Sequence, residues 1–358
     1  MRIEVDCERI RRNAETVAGL CALQGIELAG VTKACCGDPA VARAMLAGGA
    51  GLLAESRLGN VRRLRSAGID CPIIMLRLPS LDEAEEVVRL TQVSLNSQVE
   101  TVHALSRAAQ AQGVDHRVIL MVEAGDRREG VMPERVLEVA RGMAGLPRIE
   151  LAGLGVNVTC IGGVLPTREN TQLAVDLAGE VERALGLHLP TISAGNSASL
   201  ALLLRGEMPA RATQLRVGGA ILIGEVDSTG DWPTALPHQD AFVVWARVIE
   251  VETKPSTPEG PVAPNAFGEV PHWPDRGRRR RAIVAGGRQD LQIESLVPHR
   301  PGVMVLGASS DHLVLDVTEA EPAVRLGEEL SFRPLYGAIA TGMASRTATQ
   351  IVKPHREG

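Results

Sequence analysis

Glu27-Leu28-Ala29-Gly30-Val31-Thr32-Lys33 is the stretch on which the fold turns. Glu27–Thr32, with four small or apolar residues at Leu28–Val31, reads as a strand buried on both faces. The run ends on Thr32-Lys33, where a dinucleotide-binding sheet would show its glycine-rich turn. Seven similar runs follow: Gly51–Ala54, Pro72–Leu76, Gln92–Leu95, Arg117–Val122, Ile149–Val156, Thr191–Ser193 and Thr213–Val217. Helix-period segments lie between them, among them Asp38–Leu46, Leu81–Leu90, Gln98–Gln112, Pro133–Met143 and Thr167–Leu185. Asp38-Pro39 is a helix start, with a capping carboxylate and a proline in the first turn. Eight βα units in series predict a closed parallel barrel; a doubly wound sheet, the alternative, usually has fewer strands.

The texture changes after Gly224. Runs of β type, Phe242–Val251, Ala282–Ala285, Gly302–Leu306, His312–Val317 and Glu329–Phe332, are separated by turns rich in proline and glycine. The predicted class is α/β: a TIM-type (β/α)₈ barrel over 1–225, then a mostly-β domain over 226–358.

A net charge of −5 gives no global field for nucleic acid. The basic run Arg276–Arg281 reads as a solvated loop or strand entry, with an anion patch as the alternative. The six cysteines, Cys7, Cys21, Cys35, Cys36, Cys71 and Cys160, lack metal-ligand spacing. No apolar signal core opens the chain, and no apolar run reaches the length of a membrane span. A reduced, cytoplasmic setting is the expectation, with no metal, no membrane and no nucleic acid as partner.

Barrel sites lie at the C-terminal ends of the strands. Collected there are Lys33, Glu55-Ser56-Arg57, Arg77, Asn96, Glu123–Arg128, Asn157–Thr159, Ser193–Ser197 and Arg216–Gly219. The last two loops are built from Ser, Gly and Asn, which let backbone approach an anion, as barrels often do after strands seven and eight. A lysine inside the same ring suggests imine chemistry, because burial and nearby cations make an amine nucleophilic. A strand-end lysine reaching to solvent, or a simple phosphate clamp, remains open at this level.

Together Val31–Lys33, Gly125–Val131, Ser193–Ser197, Leu215–Gly219 and Gly307–Asp316 resemble the alanine racemase superfamily, the fold-type III pyridoxal-phosphate enzymes. The likeness runs over nearly the whole chain and is greatest to the alanine/ornithine racemase branch. It implies pyridoxal 5′-phosphate held by Lys33 as a Schiff base, with Lys33 also acting on Cα–H. It implies that Arg216 faces the pyridine nitrogen, that Asn196, Ser197, Gly218 and Gly219 cradle the phosphate, and that Ser193 supports them. Asn157 stands where alanine racemases place a histidine against the ring, and Tyr336, the single tyrosine, resembles a phosphate contact. Arg128, Ser310 and Asp311 are implied on the substrate side.

The pattern breaks at the second base. The family uses a tyrosine from the β domain of the partner subunit, and here Pro264–Glu269 places Phe267 near that position. A tyrosine four residues beyond the lysine is replaced by Gly37. Asp311, His312, Cys36 and Tyr336 are candidates for the missing group, as, more weakly, are His272 and Asp290. Loss of the tyrosines argues against alanine as substrate. The branch implies ornithine or another basic amino acid, with Glu55, Glu123, Asp126, Glu269 or Asp311 available to a distal ammonium. The expected protein is a racemase working as a head-to-tail homodimer; a non-catalytic cofactor-binding protein and an alanine racemase are the alternatives.

Overall fold

The computed structural model describes residues 1–226, 236–270 and 272–355. They form two compact units, Cys7–Gln239 and a unit joining Met1–Asp6 to Asp240–Lys353.

In the first unit eight parallel strands close into a barrel. Strand β1, Arg2–Asp6, belongs to the other unit, so the barrel comprises β2 (Glu27–Val31), β3 (Leu52–Glu55), β4 (Ile73–Met75), β5 (Val93–Asn96), β6 (His116–Val122), β7 (Ile149–Val156), β8 (Thr191–Ser193) and β9 (Gln214–Val217). Closure comes from β9 pairing with β2, with Arg216 beside Ala29 and Val217 beside Gly30. All eight runs expected from the sequence are barrel strands, and each strand leads into helix.

Side chains two apart on one strand share a face, and the burial follows that period. Ala29 and Val31, Leu52 and Ala54, Ile74, Val93 and Leu95, Ile119 and Met121 pack together without any helical residue, which makes them the barrel interior. The intervening Val118, Leu120, Val122, Leu154 and Val156 pack against helical Val102, Val139, Ala174 and Ala178. The helix starts are built as the sequence suggests: Asp38 accepts from Ala40 N and Val41 N, with Pro39 in the first turn.

The second unit is antiparallel in the order β12–β15–β10–β11–β14–β13. These strands are β10 (Phe242–Pro255), β11 (Arg278–Ala285), β12 (Leu296–Pro298), β13 (Met304–Ala308), β14 (His312–Asp316) and β15 (Glu329–Pro334); β16 (Thr349–Lys353) follows. Strand β1 pairs antiparallel with β10 and parallel with β16, burying Ile3 and Val5. The expectation that the barrel domain starts at residue 1 is therefore corrected, because the N-terminal strand completes a sheet with partners over 230 residues away.

The expected junction at 225/226 also moves, to Gln239/Asp240. Residues 227–235 of that junction lie outside the described residues, as do 271 and 356–358. What keeps the segment before Asp240 with the barrel is buried Asn13: its Nδ2 donates to Ile221 O (3.0 Å) and His238 O (2.7 Å), and its Oδ1 accepts from His238 N. The basic run is strand β11 and its entry. Arg279 pairs with Asp316 and Glu319, and Arg280 and Arg281 donate to Val324 O and Ser256 O.

Candidate active site at the barrel mouth

Lys33 stands one residue beyond β2, after Thr32, and opens one 3₁₀ turn, Lys33–Cys35, closed by Cys36 at φ 52° and Gly37 at φ 61°. A β-carbon on Gly37 would stand 2.8 Å from Asn60 Cβ and 2.9 Å from Asn60 O, so the turn needs glycine there. Thr32, fully buried, donates through Oγ1 to Glu55 Oε2 (3.0 Å), while Glu55 Oε1 accepts from Ser56 N (2.6 Å) and Arg57 N (3.3 Å). The first and second barrel strands are thereby joined beside the lysine. Burial raises the Glu55 carboxyl above its ordinary pKa, against the pull of these donors.

Solvent reaches the Lys33 side chain, yet barrel atoms surround it. That crowding pushes the ammonium below the usual lysine value; Cys160 and Glu55 favour the charged form, and Arg128 and Arg216 oppose it. Lys33 is also the only lysine between residues 7 and 239; Lys254 and Lys353 are the other two in the chain.

Arg216 is the second charge. It lies on β9, is 4% exposed, and donates from Nη1 to Ser193 Oγ and from Nη2 to Val156 O (2.8 Å). Ser193 Oγ donates in turn to Gln214 Oε1 (3.0 Å), so two strand-end polar residues hold the guanidinium. Burial lowers Arg216 to about 10, which still leaves it a cation at neutral pH. Among the described residues no carboxylate forms an ion pair with it.

The loops after β8 and β9 meet next to it. Asn196 caps the turn Ser197–Ser199 by accepting from Ala198 N (3.0 Å), and its Nδ2 donates to Val158 O (2.7 Å) and Asn157 Oδ1 (3.2 Å). Ser197 Oγ accepts from Gly218 N (3.3 Å) and Ala220 N (3.1 Å). With two donors on the oxygen, the hydroxyl proton is left to point at a ligand. Gly195, at φ 115°, could not be replaced: a β-carbon would sit 2.2 Å from Ser199 Oγ. Ser199 Oγ is itself buried without a partner among the described residues. Hydroxyls and close backbone of this kind suit a phosphate-sized anion.

Sequence reasoning missed Cys160. It is exposed, and its sulfur receives Asn157 Nδ2 (3.0 Å) and Asn196 Nδ2 (3.8 Å). No signal in the sequence marked it, because Asn157 and Asn196 reach its sulfur only in the folded loops. Cys36, the cysteine singled out before, is half-buried, and burial pushes its thiol up.

The carboxylates expected to meet a distal ammonium are placed otherwise. Glu123 accepts from Gly125 N (2.5 Å) and Arg127 N (3.2 Å), and Asp126 from Cys160 N, Ile161 N and Gly162 N. Both, like Glu55, hold backbone. In the second unit Glu269 pairs with Arg288 through two contacts of 2.9 Å, and the same guanidinium lies 4.6 Å from the Phe267 ring. Asp290 accepts from Gly287 N and Thr347 Oγ1, and His272 is exposed. Ser310 is half-buried ahead of β14, Asp311 and His312 are exposed there, and Tyr336 starts the helix Tyr336–Gly342. These last four belong to the β unit, apart from the barrel residues brought together here.

A lysine, a buried arginine and two loops of hydroxyls and close backbone at the C-terminal mouth of a parallel barrel define the class, a barrel protein with a polar site at its strand ends. The family model for the N-terminal domain of alanine racemase matches residues 5–225. An ornithine racemase of Acetoanaerobium sticklandii is 36% identical, covering 96% of this chain and 97% of its own. A lysine racemase of Thermotoga maritima is also 36% identical, covering 99% and 98%. The chain belongs to the alanine racemase family. Among solved structures, an alanine racemase from Corynebacterium glutamicum superposes with a TM-score of 0.73 at 16% identity over 98% of this chain and 99% of its own. A D-threonine aldolase from Filomicrobium marinum gives 0.75 at 21%, over 96% and 88%; these two likenesses concern fold alone.

Proposed function

We propose that this protein is a pyridoxal-phosphate-dependent racemase of basic amino acids, ornithine or lysine being the substrates to expect. The observation that carries the reading is the juxtaposition of Lys33 with buried Arg216 and the Ser197 cradle at one barrel mouth. The two relatives named above for ornithine and lysine, each matched end to end, support the substrate class.

When bound, pyridoxal phosphate supplies an electron-withdrawing ring that acidifies the Cα–H of an amino acid attached to it. Lys33 would carry it, as the single lysine of the barrel unit. Asn196, Ser197, Gly218 and Gly219 would hold its phosphate, supported by Ser193, with Asn157 beside the ring; Tyr336 is proposed as a further contact. Among the described residues no carboxylate is ion-paired with Arg216, and it would face the ring nitrogen as a fixed cation, disfavouring protonation there. That limits how far charge is drawn away from Cα, which favours rapid return of the proton over side reactions. Lys33 Nζ, with its charged form destabilised, would remove or return the Cα proton on one face, and inversion requires a second proton donor or acceptor on the other face. Arg128 would bind the substrate carboxylate; Ser310 and Asp311 are proposed on the substrate side. The reading includes a head-to-tail homodimer in a reducing, cytoplasmic setting.

Reconstitution tests the cofactor claim. Wild-type protein should take up pyridoxal phosphate with the absorbance of a lysine-linked cofactor, and Lys33→Ala should bind it without that band and lose racemisation. A wild-type protein that takes up none would overturn the proposal.

A further inference from the structure

We infer that Glu129 is the carboxylate that reads the distal cation of a basic substrate, while its neighbour Arg128 takes the α-carboxylate; the inference rests on the function proposed above.

The loop after β6 is built to present these two side chains. Glu123 N donates to Val131 O (3.0 Å) and Val131 N to Met121 O (2.8 Å), so the chain returns onto the end of its own strand. The return requires left-handed backbone at Gly125 (φ 122°), Arg127 (φ 56°) and Gly130 (φ 139°). A β-carbon on Gly130 would stand 2.5 Å from Glu123 N. Asp126, 2% exposed, ties the loop to residues 160–162 through three backbone N–H groups. A loop fixed at both ends, with its tip bearing Arg128 and Glu129, is a preorganised recognition element.

Elimination points to the same residue. Glu55, Glu123 and Asp126 each satisfy backbone donors, and turning any of them to a ligand would leave part-buried N–H groups without these acceptors. Among the described residues Glu129 meets only the guanidinium of Arg128, and its side chain is 13% exposed. It also lies near enough to Arg216 for its charge to act there.

The ion pair suits its ligand. A basic amino acid offers one carboxylate and one distal cation, the complement of Arg128 and Glu129. Binding exchanges one internal pair for two intermolecular ones and leaves no charge of the site unmatched. A neutral side chain would break the internal pair and leave Glu129 without a cation. Discrimination should then come from that single carboxylate.

The experiment compares kcat/KM of the holoenzyme for ornithine and for norvaline, which ends in a methyl group. Dissociation constants for α-methylornithine and α-methylnorvaline, which carry no Cα–H, give a readout without turnover. Glu129→Gln should lower ornithine kcat/KM by ~10–100-fold, mainly through KM, and weaken α-methylornithine alike. Norvaline values should move by no more than about threefold. Glu129→Asp should recover part of the loss. Equal losses for both substrates would mean that Glu129 only positions Arg128, and would overturn the inference, as would no loss at all. A wild-type holoenzyme that racemises norvaline but neither ornithine nor lysine would instead overturn the substrate class proposed above, and the inference with it.

Discussion

Lys33 combines solvent access with a destabilised charge, and the combination has a consequence that can be read without any substrate. Its amine should be deprotonated, and therefore reactive, at lower pH than an ordinary lysine. With Lys254 and Lys353 as internal references, reductive methylation of the apoprotein across a pH series should give Lys33 a midpoint below the usual lysine value. A midpoint at or above that value would contradict the crowding described here. At this scale the sequence was informative where a residue ends a strand: Lys33, Asn157, Ser193 and Arg216 were all found by that rule. It was silent where a role depends on what neighbouring loops contact. Glu123 and Asp126 read as free carboxylates until their backbone partners are known, and Glu129 and Cys160 carried no signal because each acquires its neighbours only through the folded β6 and β7 loops.

Among elements, β5 and β6 are joined inside the barrel unit by a polar contact that no ligand needs. Ser94 Oγ and His116 Nε2 lie 2.8 Å apart, both buried, and Asn96 Nδ2 donates to Ser94 Oγ (2.9 Å). Burial depresses His116 from 6.5 to about 4. Between those two values the unfolded chain binds a proton that the folded chain does not, so stability rises with pH there and is lost as pH falls. The whole effect amounts to about 3 kcal/mol. Urea melts should therefore show stability declining from pH 6.5 towards about 4, with a flatter decline in His116→Gln; parallel profiles would contradict it. Barrel strands were legible because each carries its own apolar run and is followed by its own helix. Strand β1 was not, since five residues of alternating pattern, Arg2–Asp6, become a strand only when β10 and β16 arrive from the far end of the chain.

Over the whole molecule the barrel unit supplies an amine, a buried guanidinium, the Ser197 loop proposed for the phosphate and a carboxylate–guanidinium pair. The β unit holds its Phe267 loop through Arg288 and Glu269. Membership of the alanine racemase family and end-to-end likeness to ornithine and lysine racemases make Cα proton exchange on a basic amino acid the central claim. The direct measurement is by NMR in D₂O, with the reconstituted holoenzyme and either enantiomer of ornithine or lysine. Loss of the Cα–H signal should accompany appearance of the opposite enantiomer on chiral chromatography, and neither should occur with Lys33→Ala. A holoenzyme with cofactor bound that exchanges the Cα–H of neither amino acid would contradict the account.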